Sequence, residues 1–161
     1  MKIFATLSLL IAVLALTPVT AKAGPVSDQK KAYKAIGIDV GKNKPALCRL
    51  LSKSEVERVV GKPVRDGTSA GPVIAGCAWH AADGSNDGLL VTRQSRDGWY
   101  PPATSKFYKK VSGIGEQAYS NYSEVGYEAA ALSAKGVTGV LISGKGTIKA
   151  AIDTLRIVLK R

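Results

Sequence analysis

The sequence predicts an α+β domain: an antiparallel sheet built from hairpins, with N- and C-terminal helices packed on one face. Three observations carry that expectation. Residues 76–82 and 88–94, and again 127–134 and 137–143, are pairs of strand-like runs joined by turn-rich residues. Ser52-Lys53-Ser54-Glu55 is a capping box, which opens a short helix ahead of the strands. Residues 146–160 close the chain with a helical apolar period.

The chain has 161 residues, 45% hydrophobic and 22% charged, with a formal net charge of +11. These values suit one globular domain and exclude a disordered tail, a fibrous repeat or a coiled coil. One histidine and two cysteines exclude most zinc-cluster, haem-relay and iron–sulfur designs.

Residues 1–23 read as a secretory signal peptide. Lys2 supplies the positive start, residues 3–16 are almost unbroken apolar sequence, Thr17-Pro18 breaks the helix, and Ala21-Lys22-Ala23 is a cleavage site. The apolar run is shorter than a bilayer span requires. The cleavage point has no cysteine, so the signal is not of the lipoprotein type. Cleavage leaves about 138 residues with a net charge of about +9. The expected location is a bacterial periplasm, or the exterior if secreted, with no transmembrane segment in the mature chain. In that compartment Cys48 and Cys77 are expected to form one disulfide. A free thiol nucleophile and a metal pair are the rival readings, and neither has a nearby base or further ligand in sequence.

Three divisions follow: the signal peptide over 1–23, a basic lead-in arm over 24–46, and a single α+β domain over 47–161. In the arm, Ser27 can cap a short helix through Ile36, ended by Gly37. In the domain, the helix after Ser52 carries Val56, Val59 and Val60 on one face and stops at Gly61 and Pro63. Residues 64–69 are a weak strand candidate. Residues 76–82 place Cys77, Trp79 and Ala81 on one face, against Ala78, His80 and Ala82 on the other. The turn residues from Asp83 to Gly88 join this run to residues 88–94. Residues 104–110 are read as a short helix, and Ser120-Asn121-Tyr122-Ser123 as loop. The last helix carries Ile148, Ile152, Leu155 and Leu159 as its stripe, with Lys149 and Asp153 as an exposed i,i+4 pair.

Four segments carry a resemblance. They are Cys48-Arg49-Leu50-Leu51-Ser52-Lys53-Ser54-Glu55-Val56, then Gly61-Lys62-Pro63, Cys77-Ala78-Trp79, and Val111-Ser112-Gly113-Ile114-Gly115-Glu116-Gln117-Ala118-Tyr119. In this order, over residues 47–160, the chain resembles small exported cysteine-paired α+β domains of unknown function, found in actinobacterial lipoproteins and in periplasmic proteins of other bacteria. The resemblance implies an exported, disulfide-bonded, non-catalytic module. It brings no ligand and no site residues, and the lipid-attachment cysteine of the lipoprotein members is missing here.

Three motifs suggest chemistry that their surroundings do not support. Gly113-Ile114-Gly115-Glu116-Gln117-Ala118 matches a dinucleotide fingerprint, but that chemistry needs a buried strand before the glycines and a long helix after them. Residues 139–145 match the start of a phosphate loop, but Gly146 stands where a magnesium-binding hydroxyl belongs and Val140-Leu141-Ile142 reads as strand. His80 lacks a serine and a carboxylate at triad spacing, and Asp97, Glu116, Glu124 and Glu128 are scattered. No cofactor and no metal is expected. The remaining signal is aromatic and basic. Arg93, Arg96, Trp99, Tyr100, Lys106, Tyr108, Lys109 and Lys110 fall close together, a mixture that binding surfaces use for contact area and steering. The expected function is a non-enzymatic binding or partner module for an acidic protein or an anionic envelope component, with no nucleic acid. An inhibitory or structural exported protein is the alternative, and a cell-envelope hydrolase comes behind both.

Overall fold

The computed structural model describes residues 46–70, 75–103 and 105–161. The signal segment and the lead-in helix read over 27–36 lie outside the described residues. Among the described residues, seven strands form one sheet: β1 (Thr68–Ser69), β2 (Gly76–His80), β3 (Gly88–Gln94), β4 (Lys109–Lys110), β5 (Gln117–Ser123), β6 (Gly126–Ser133) and β7 (Gly136–Ser143). Their spatial order is β1-β2-β3-β7-β6-β5-β4, and every neighbouring pair is antiparallel. The β3–β7 pairing, from Gly88 opposite Ser143 to Gln94 opposite Val137, welds the two hairpin units into one sheet.

The two described helices are α1 (Lys53–Val60) and α2 (Ile148–Lys160). The capping box forms as its sequence predicts: Ser52 Oγ accepts from the Glu55 N–H at 3.3 Å, and the Ser52 N–H donates to Glu55 Oε2 at 2.7 Å. Gly61 ends α1 with φ at 79°, a left-handed cap that a side chain would strain. Val56 and Val60 are buried.

Residues opposite one another in an antiparallel pair share a face, so Cys77, Val91, Val140, Ala129 and Ser120 form one row across the sheet. The apolar members of that row join Trp79, Leu89 and Ile142 in a buried cluster with Val56 and Val60 of α1 and Ala151, Leu155 and Val158 of α2. Cys48 and Cys77 are disulfide-bonded, with Cα atoms 5.1 Å apart. The bridge pins a 3₁₀ turn (Ala46–Arg49) to β2, and closing its loop stabilises the fold by about 3 to 4 kcal/mol in the chain-entropy account. Gly67 lies tight against it: a Cβ there would stand 2.6 Å from Cys77 Sγ and from Trp79 Nε1.

Four local expectations need correction. The described part of the helix read over 104–110, residues 105–110, is not helical: a turn closed by the Tyr108 N–H on the Ser105 carbonyl leads into β4. Residues 120–123 are not loop but the second half of β5. Residues 64–69 shrink to a bridge between Val64 and Ala81 and the two residues of β1. The stripe on α2 is rotated, because Ala151, Thr154, Leu155 and Val158 are its buried residues while Ile152 and Leu159 are only partly covered. Small Ala151 faces a sheet surface that carries Ala129 and Ala131, and that pairing of small residues lets helix and sheet approach closely.

The opposite face of the sheet is covered on one side only. Residues 96–103 and 105–108 run back across β5 and β6 and bury Tyr119, Asn121, Ala130 and Leu132 there. Over β2, β3 and the end of β7 the described residues leave the face open.

Candidate functional site

The eight residues singled out from the sequence divide among three environments. Arg96, Trp99 and Tyr108 serve the covering segment. The Arg96 guanidinium donates to both Glu116 carboxylate oxygens at 2.7 Å and to the Ser133 carbonyl at 2.7 Å. That fork holds the Glu116 carboxyl below its ordinary range. The Trp99 and Tyr108 rings lie 5.5 and 5.7 Å from the Tyr119 ring, and the Trp99 indole N–H donates to Gln117 Oε1 at 3.3 Å. Tyr119 donates its hydroxyl to Glu128 Oε1 at 2.7 Å, and Ser105 Oγ is hydrogen-bonded to Asn121 Oδ1 at 2.7 Å. Burial first, and the Glu128 hydrogen bond second, raise the Tyr119 phenol well above its usual range. This stack is packing that seals half of the outer face.

Arg93 stands apart. Paired with Thr138, it lies on the helix side of β3, partly buried, and its Nε has no hydrogen-bond partner among the described residues. Tyr100, in the first part of the covering segment, is 91% exposed.

Lys106, Lys109 and Lys110 come together at the β4 edge. Lys109 opposes Ser120 and Lys110 opposes Tyr119, so the two side chains emerge on opposite faces of the sheet. Lys106 Nζ lies 4.9 Å from the centre of the Phe107 ring. Phe107 packs edge-on against Tyr122 of β5 at 5.3 Å, and Tyr122 against Tyr127 of β6 at 4.9 Å, in a row that runs inward from the edge across the sheet. Phe107 and Tyr122 stand in the same aromatic run of the sequence but not among the eight residues singled out, because no local period separates their exposed rings from the packed rings of Trp99 and Tyr108.

His80 lines a shallow depression of about 410 Å³ on the open outer face, with Ala78, Leu90 and Leu141 as its floor and Asn86 and Ser143 at its rim. No carboxylate lines it among the described residues. The nearest acids in sequence, Asp83 and Asp87, are both drawn to Lys62, whose Nζ is 3.0 Å from Asp83 Oδ2, 3.2 Å from Ser85 Oγ, and paired with Asp87. Hydrogen bonds from Ser85 and then Lys62 lower the Asp83 carboxyl, and Lys62 lowers that of Asp87. These groups tie the turn between β2 and β3 to the end of α1, and they leave the imidazole without an acid to orient it.

The motif with two glycines at 113 and 115 is a turn, both residues having positive φ, and β5 rather than a helix follows it. Residues 139–143 belong to β7. Among the described residues no group of three or more His, Cys, Asp or Glu is placed to hold a metal ion, and no helix is long and apolar enough to cross a membrane.

The fold and the site together define a small disulfide-bonded α+β domain with a basic, aromatic sheet edge. No protein-family model matches the chain, and neither a curated protein nor a solved structure matches it.

Proposed function

We propose that this chain is an exported, non-enzymatic binding module whose β4 edge contacts an acidic protein or another anionic component of the cell envelope. One observation carries the reading: at the β4 edge cations without an ion pair coincide with exposed aromatic rings. Glu55, Asp66, Asp83, Asp87, Glu116 and Asp153 are each paired with a cation elsewhere. No ion pair engages Lys106, Lys109 or Lys110 among the described residues, and exposed aromatic area from Phe107 and Tyr122 adjoins them. Unpaired ammonium groups beside flat apolar rings attract an anionic partner over distance and hold it at contact. Export is supported by the pattern of residues 1–23 and by the buried cysteine pair.

The test is retention of envelope components by the immobilised protein at physiological and at high salt. The reading expects retention that falls with salt and is lost in the Lys109→Glu/Lys110→Glu variant. Retention unchanged by that double substitution contradicts it.

A further inference from the structure

We infer that the β4 edge takes its partner by strand addition: an extended acidic peptide segment pairs with β4 as an eighth strand. This rests on the function proposed above and specifies how the partner is held. The Val111 N–H donates to the Ala118 carbonyl at 2.9 Å, one step beyond the pairs Lys109–Ser120 and Lys110–Tyr119. Hydrogen-bonded and non-hydrogen-bonded pairs alternate along an antiparallel ladder. The backbone groups of Lys109 and Val111 therefore face β5, and the N–H and C=O of Lys110 face outward. The outward N–H and C=O of Lys110 offer one donor and one acceptor to another backbone, and the lysines of this edge exclude strands that do not carry carboxylates. A peptide supplies the matching acceptor and donor. A lipid headgroup or an anionic polysaccharide supplies charge without that alternation.

Side chains then select which peptide. Lys109 and Lys110 project from the two faces of the same edge, so an added strand meets an ammonium above and below the sheet. Two neighbouring carboxylates on that strand, which also point to opposite faces, answer both. A second copy of this chain brings its own lysines to the contact and is repelled. Phe107 and Tyr122, 44% and 39% exposed, offer apolar contact to the next residue of the incoming strand on the Lys109 side. The opposite edge, Thr68–Ser69 of β1, carries no charged side chain and makes no such selection.

The probe is a short synthetic peptide of valine and threonine with two adjacent glutamates at its centre. Its controls are a twin with glutamines in their place and two twins N-methylated at alternate amides, one for each alternation. Binding is measured by titration, and amide exchange is followed at Lys110. The inference expects the acidic peptide to bind and to slow exchange of the Lys110 amide. It expects the glutamine twin and one N-methylated twin to bind about tenfold or more weakly. Lys110→Gln, which keeps the backbone donor, is expected to weaken the acidic peptide while leaving the thermal midpoint in place. Both N-methylated twins binding as well as the parent overturns strand addition and leaves charge recognition standing. Failure of the acidic peptide beside retention of anionic polysaccharide or anionic vesicles does the same. Failure of every anionic probe overturns both this inference and the function on which it rests.

Discussion

Trp79 and Trp99 lie against opposite faces of the same sheet, and the two faces are closed by different means. Trp79 is 2% exposed in a cluster that draws on the disulfide, both helices and the middle strands. Trp99 is half-buried in a segment with little regular structure, held by a ring contact with Tyr119 and one indole hydrogen bond to Gln117. The helix-side face is closed by apolar volume locked covalently. The outer face is closed by aromatic stacking and single polar contacts, over half its width only. Global stability should therefore reside on the first face, and local opening on the second.

Truncating the two tryptophans breaks the comparison most directly. Trp79→Ala is expected to cost about 3–5 kcal/mol, and denaturant unfolding should show the transition moving as a whole. Trp99→Ala is expected to cost about 1–2 kcal/mol and to raise amide exchange in residues 96–108 before the rest of the sheet. Equal losses from the two would mean that the faces are energetically alike. Removing the bridge with Cys48→Ser/Cys77→Ser should cost about 2–5 kcal/mol, again as a shift of the whole transition.

Smaller effects sharpen the contrast. Tyr119→Phe removes the hydroxyl that Glu128 accepts and is expected to cost about 1 kcal/mol by thermal unfolding. A Tyr119 that titrated near the ordinary phenol range would contradict its burial. Arg96→Ala breaks an exposed pair and is expected to move the thermal midpoint least of the set.

Glu55, on the helix side, contributes one part of the pH response, beside the lowered carboxyls of Asp83, Asp87, Glu116 and Asp153. The hydrogen bond from Arg161, followed by those from the Ser52 backbone and hydroxyl, lowers the Glu55 carboxyl from 4.5 to about 2. Its folded value lies below its unfolded value, so its contribution is fully present above about 4.5 and is lost as pH falls toward about 2. Arg161→Met should flatten that part of the stability profile, measured as thermal midpoint against pH. An unchanged slope would place the acid sensitivity on other carboxylates.

The legible and illegible parts of the molecule follow the same division. The helix side announces itself by period and by local chemistry. Ser52 and Glu55 cap within three residues of each other, Cys77 and Trp79 alternate on β2, and Lys149 pairs with Asp153 one turn along α2. The outer face depends on partners far apart in sequence. Asn121, buried and polar beside the buried Ser120 of the helix side, resembles loop until Ser105 arrives sixteen positions away to satisfy it. β4 spans two residues, too few to carry an alternation. The aromatic and basic cluster read from the sequence was real as composition, but it mixed two roles. Trp99 and Tyr108 pack onto Tyr119, Arg96 braces Glu116, and only Lys106, Lys109 and Lys110 gather at one edge. Telling these apart needs the direction of each side chain, which the irregular segment between β3 and β5 does not encode in any period.

The central claim is that position, not net charge, makes the β4 edge the contact surface. Retention of envelope components should be compared for two charge-matched variants, Lys109→Glu/Lys110→Glu at the edge and Lys135→Glu/Lys160→Glu away from it, at one physiological salt concentration. Loss of retention in the first and near-native retention in the second is the predicted result. Equal weakening of both would contradict the claim and would assign the attraction to the overall charge of the mature chain, about +9, alone.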